Sequence, residues 1–210
     1  NGATASNTTI NGGSQELKNG ATASNTTING GSQLVWTNAV ASNTTVNKGG
    51  FLYNFGGVTS GTVVNNGGVF RVYQNVGKSF DTVVSAGGIE EVGAYNYING
   101  DYTSGSSYNT KIYGSQIVRS GSVASGAIVY SGGRQSVSSG GVASNTTVYV
   151  DGNQYVYSGG IASDTTVNRG GLQHVSSGGV AISTTLNGLA GYQLVFSGGV
   201  ASNTTVNSGG

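Results

Sequence analysis

Few side chains in this protein are able to do acid, base or metal chemistry, and their spacing decides what they can do. The only histidine is His174, and the acids are Glu16, Asp81, Glu90, Glu91, Asp101, Asp151 and Asp164. Cleaving a polysaccharide on a β-helix would need clustered carboxylates on neighbouring turns. Only Glu90 and Glu91 are adjacent, and alternation along a strand turns such neighbours to opposite faces. Calcium-binding nonapeptide rolls carry an aspartate in every copy, whereas the glycine pairs here mostly lack one. The one Gly-Lys-Ser, Gly77 to Ser79, lacks the earlier glycine of a phosphate loop, Val72 standing in its place, so a phosphate loop is not indicated. Cysteine is absent, which excludes disulfides and thiolate ligands. His174 reads as a surface residue. No catalytic, metal or cofactor site is expected, and a polysaccharide-degrading β-helix enzyme stands as the alternative.

Hydroxyls and amides are abundant instead. Asn-Thr-Thr recurs, as at Asn25 to Thr27 and Asn145 to Thr147, and matches the N-glycosylation sequon. The favoured reading is structural: Ser and Asn make a corner and Thr begins a strand. Stacked threonines would also suit an ice-binding solenoid, but that needs two outward threonines per turn. Trp36, Phe51, Tyr53, Phe55, Tyr73, Tyr155, Tyr157 and Phe196 fall at positions that alternation assigns outward. They either cover edges and corners or suit carbohydrate and protein contacts.

The elements that position these groups come from repetition. "NGATASNTTINGGSQ" opens the chain and returns at Asn19 to Gln33. Aligned on the aliphatic residue after the threonine pair, copies fall at Ile10, Ile28, Val46, Val64, Val84, Ile112, Val129, Val148, Val167, Leu186 and Val206. The intervals are 17 to 20 residues, with one of 28. Two residues before this anchor stands Thr in ten of eleven copies, with Ala127 the exception, while the residue between varies. The uniform pair should point inward. A second short strand repeats Gln two residues before an aliphatic, at Gln15, Gln33, Gln116, Gln135, Gln154, Gln173 and Gln193. An inward amide is acceptable only if copies stack and each Gln bonds to the next. Glu90 takes the place of one such Gln.

Glycine and asparagine clusters between strands tolerate the positive φ of tight corners. The chain has 39 Gly, no Pro and 36% hydrophobic residues, too much glycine and β-branched residue for helices. The predicted fold is an all-β parallel β-helix (β-solenoid) with about 19 residues per rung, each copy one rung. Residues 1–210 read as a single solenoid fragment of a longer array, with a Tyr-rich loop insertion around 93–110 that holds Tyr95, Tyr97, Tyr102 and Tyr108. A net charge of +1 gives no electrostatic case for nucleic acid or an anionic membrane. No apolar run reaches membrane-spanning length, and no signal peptide is visible.

The copies "SSGGVASNTTVYVDGNQYVYSGGIASDTTVNRGG" and "SGGVASNTTVNSGG" resemble the AIDA-type repeats in passenger domains of Gram-negative autotransporter adhesins. The likeness is strongest over Gly121 to Gly210 and Asn1 to Gly50, and weakest over Phe51 to Asn109. The resemblance implies a right-handed solenoid shown on the outer, extracellular side of the outer membrane, held there by a C-terminal barrel outside this chain. It implies adhesion to a host-cell surface receptor, self-association between cells, and biofilm formation. It also implies O-glycosylation by a cytoplasmic heptosyltransferase. By motif, the candidate acceptors are the serines before Gly-Gly (Ser131, Ser139, Ser158, Ser177, Ser197 and Ser208) and those of the Ala-Ser corner (Ser6, Ser24, Ser42, Ser144, Ser163 and Ser202). One modified Ser per rung would then form a line of sugars along the rod.

Overall fold

The computed structural model describes residues 2–74, 76–93, 95–96 and 101–210. They wind into a β-solenoid in which each complete rung contributes three short strands. Val142–Ser144, Thr147–Val148 and Asn153–Val156 make one rung. Ile161–Ser163, Thr166–Val167 and Leu172–Val175 lie on it in parallel, residue over equivalent residue. Repetition yields three parallel sheets of 11, 11 and 10 strands, here the first, second and third in the order the chain visits them. Among the described residues there is no helix.

The corners explain why asparagine recurs. Between the first and second sheets one residue per rung is left-handed: Asn7, Asn25, Asn43, Gly61, Asp81, Asn109, Gly126, Asn145, Asp164, Ser183 and Asn203, at φ of 52° to 70°. Asn, Asp and Gly carry that conformation at least cost. The Asn of Asn-Thr-Thr is therefore a corner residue, as the structural reading expected.

Each rung sends five side chains inward; Ala143, Thr146, Val148, Gln154 and Val156 are all buried. Gln154 Nε2 donates to Gln135 Oε1 at 2.8 Å and Gln173 donates to Gln154 at 2.7 Å. Thr165 Oγ1 donates to Gln154 Oε1 as well, so the amide is satisfied on both sides and its burial carries no desolvation penalty for a missing partner. The amide ladder is not continuous. Leu52 and Phe70 occupy its column in two central rungs, and Thr82 Oγ1, which would donate to an amide in Phe70's place, is left without a partner.

Glu90 restores the column beyond that gap. Its Oε2 accepts from Gln116 Nε2 at 2.8 Å and Thr110 Oγ1 at 3.1 Å. Its Oε1 accepts from Ser79 and Ser107, which stand where most other rungs have Ala and one has Thr59. Burial holds this carboxyl above its ordinary range, although bonds from Gln116, Ser107, Ser79 and Thr110 pull it back. Glu91 points out, as alternation requires. Burial works to raise it, but Arg119 at 2.8 Å and Arg71 at 2.6 Å hold it low.

The 28-residue interval holds a short antiparallel pair, Tyr95–Asn96 with Asp101–Tyr102. Tyr97 lies outside the described residues. Tyr108 is already in a first-sheet strand, Ser106–Tyr108, where its ring stacks on Phe80 at 5.0 Å.

Candidate functional site

The serines picked out by sequence divide between corners in a way that the short word Ser-Gly-Gly conceals. Ser139, Ser158, Ser177 and Ser197 lie between a third-sheet strand and the next first-sheet strand, as Ser139 does between Val137 and Val142. All four are exposed. Ser131 and Ser208 are exposed too, but they follow second-sheet strands that end at Val129 and Val206. They therefore do not stack with the other four, and the expected one-per-rung line from all six is corrected to two separate corners. Ser120, not singled out by sequence because Ser122 breaks its glycine pair, begins the column that Ser139 continues.

The Ala-Ser set ends first-sheet strands and stacks in register, Ser6 with Ser24 and Ser42, and Ser144 with Ser163. Ser6 and Ser202 are exposed; Ser24, Ser42, Ser144 and Ser163 are half-buried. Ser60 and Ser125 belong to the same column. At both, Gly61 and Gly126 replace the usual corner Asn. The Phe80–Tyr108 stack and Ile182 interrupt the column. The Ala-Ser column and the column of Ser139, Ser158, Ser177 and Ser197 thus flank one face, the first sheet, whose outward Val123, Val142, Ile161, Val180 and Val200 run between them.

Threonine hydroxyls in the anchor pattern are enclosed. Thr44 and Thr146 are 1% exposed and donate to Gln33 and Gln135. The corner asparagines bond along the axis, Asn25 to Asn7 and Asn43 to Asn25. A serine hydroxyl is a weak nucleophile without a base beside it. The histidine is no such partner: His174 stands outside on the third sheet, stacked at 4.5 Å on Tyr155 and 6.1 Å from Phe196. Burial and Arg134 push its pKa down.

Two of the eight outer aromatics differ from expectation, while Trp36, Phe51, Tyr53, Tyr155 and Tyr157 are half-buried and Phe196 is exposed. Phe55 and Tyr73 are buried, stacked on each other at 4.8 Å, with Trp36 on the far side of Phe55. Trp36 and Tyr73 thus cover the two faces of the Phe55 ring. Stacking a sugar needs an open face, and the buried core of this cluster offers none. The second sheet's two-residue strands leave one outward side chain per rung, as Thr147 and Thr166 do, which does not meet the ice-binding requirement.

Residues 28–68 and 139–188 match the AIDA family, described as "adhesin of bacterial autotransporter system, probable stalk". Among solved structures the chain is similar to the TibC-catalyzed hyper-glycosylated TibA55-350 fragment. Identity is 36% over 99% of this chain and 80% of that one, with a TM-score of 0.79. QnrB1, a plasmid-mediated fluoroquinolone resistance protein, aligns over 98% of this chain and 93% of its own at 9% identity and a TM-score of 0.48, too distant to bear on function. No curated protein matches the chain.

Proposed function

We propose, for a chain that belongs to the AIDA family of autotransporter adhesin stalks, that it is a surface-displayed stalk segment whose serine columns accept sugars. The observation that carries this is the row of exposed hydroxyls at Ser139, Ser158, Ser177 and Ser197, in a fold shared with a fragment that is hyper-glycosylated. Modification is transfer from a nucleotide-activated sugar. Serine Oγ bonds to the anomeric carbon, the bond from that carbon to the diphosphate breaks, and the nucleoside diphosphate leaves. The hydroxyl proton passes to a base of the transferase.

The transferase is a cytoplasmic heptosyltransferase in this reading, and the chain is one segment of a longer array anchored on the extracellular side of the outer membrane. Its role there is adhesive, through a host-cell surface receptor and through contacts between cells, and not catalytic. A dense strip of neutral sugars would mediate such contact without any charged patch. Intact mass of the chain made with and without a heptosyltransferase tests the proposal. A ladder of added sugar masses is expected; identical masses would overturn it.

A further inference from the structure

Resting on the reading that corner serines accept sugars, we infer that the glycine one rung further along decides which of them can. A Cβ built on Gly159 falls 2.6 Å from Ser139 Oγ. The same holds for Gly178 over Ser158 and Gly198 over Ser177 at 2.6 Å, and for Gly140 over Ser120 at 2.7 Å. Four successive serines therefore have a vacant Cβ position directly beside the hydroxyl, supplied by the next rung rather than by their own glycine pair.

Backbone conformation alone does not demand glycine there. Gly140, Gly159, Gly178 and Gly198 have φ of 70° to 80°, and Asn takes the left-handed region at Asn7, Asn25 and Asn43. Nor can the neighbouring corner swing aside, because Gly140 N donates to Gly159 O and Gly159 N to Gly178 O, both at 2.8 Å. When serine Oγ bonds to the anomeric carbon and the nucleoside diphosphate departs, the new substituent needs this room.

The other corner supplies the contrast. A Cβ on Gly170 falls 3.0 Å from Val150 Cγ2, so there too the left-handed residue of one rung lies over the first corner residue of the rung before. For Ser131 that residue is Asp151, at φ 56°, whose backbone oxygen accepts from Gly132 N at 3.2 Å. Ser139, Ser158, Ser177 and Ser120 each have a glycine at that position one rung on, whereas the equivalent position for Ser131 carries the side chain of Asp151. Exposure does not separate them, since all five are exposed.

The test uses the folded chain, a TibC-type glycosyltransferase and its nucleotide-activated sugar, with occupancy of each serine read by peptide mapping. Gly159→Asn should lower occupancy at Ser139 by about tenfold, the scale of an overpacked contact, while Ser158 and Ser177 stay as in the unaltered chain. Asp151→Gly should raise occupancy at Ser131 several-fold, and it relieves the left-handed backbone rather than straining it, so misfolding does not confuse the result. Unchanged occupancy at Ser139 in the first variant and at Ser131 in the second overturns the glycine rule and leaves the acceptor reading standing. If neither Ser139 nor Ser158 carries sugar in the unaltered chain, the acceptor reading itself fails.

Discussion

Glu90 and Gln135 occupy the same column, and the residues around each decide which of the two side chains is tolerated. Glu90 has Ser79 and Ser107 beside the oxygen that replaces an amide nitrogen; Gln135 has Ala124 and Ala143, which offer nothing. Gln135→Glu would keep the bonds from Thr146 and Gln154 but set a carboxylate oxygen against Gln116 Oε1, which now accepts from Gln135 Nε2. We expect a loss of roughly 2–5 kcal/mol at neutral pH in denaturant melts; an unchanged midpoint would place this column in solvent. Glu90 itself makes stability depend on pH. Burial raises its pKa above the ordinary 4.5, so the folded rod holds that proton more tightly than the unfolded chain does. The stability gained is complete below the unfolded value and is lost as pH rises through the folded one. Relative to Glu90→Gln, the melting temperature of the unaltered chain should fall as pH rises from about 4 to neutral, since Glu91 is common to both. A constant difference would contradict this. Strand alternation placed Glu90 inside from sequence alone. Its serine partners were not legible, because they lie in another sheet, and finding them required asking which copies lose their inward Ala.

Corner columns behave as elements in their own right, built from equivalent residues one rung apart. After each anchor, Asn11, Asn29, Asn47 and Asn65 form an amide ladder with bonds of 2.9, 2.7 and 2.8 Å. In later rungs Tyr113, Tyr130 and Tyr149 replace it with a ring stack at 4.5 and 5.7 Å. Asn47→Ala removes two of the amide bonds and should cost about 1–2 kcal/mol, measured by equilibrium unfolding; no loss would mean that water replaces them fully. The period, the inward Gln column and the left-handed asparagines could be read in the sequence because each depends on local alternation or local backbone preference. The separation of Ser131 and Ser208 from the other Ser-Gly-Gly serines could not be read from that word alone. Glycine pairs serve both corners, and only the preceding strand tells them apart: an anchor before Ser131, a Gln-x-Val strand before Ser139. The same gap hid Phe55 and Tyr73, whose outward direction was legible but whose burial depends on rings in adjacent rungs.

Across the whole molecule, contacts run from rung to rung, so stability is close to a sum over neighbours and opening should begin at the terminal rungs. Gln33 and Gln154 are fully buried, whereas Gln15 and Gln193 near the ends are half-buried. Amide hydrogen exchange of this 210-residue chain should accordingly be fastest in the first and last rungs; fastest exchange in the rungs around Val137 and Val156 would contradict a stacked array. The same stacking sets about 4.8 Å between equivalent hydroxyls and turns single corner serines into continuous rails beside the first sheet, while it closes the inward threonines. Site-resolved peptide mapping of the chain co-expressed with a heptosyltransferase tests that partition directly. Sugars are expected on exposed corner serines such as Ser139, Ser158 and Ser177, and none on Thr44, Thr146 or Asn145. Sugars concentrated on those threonines or on that asparagine would contradict it.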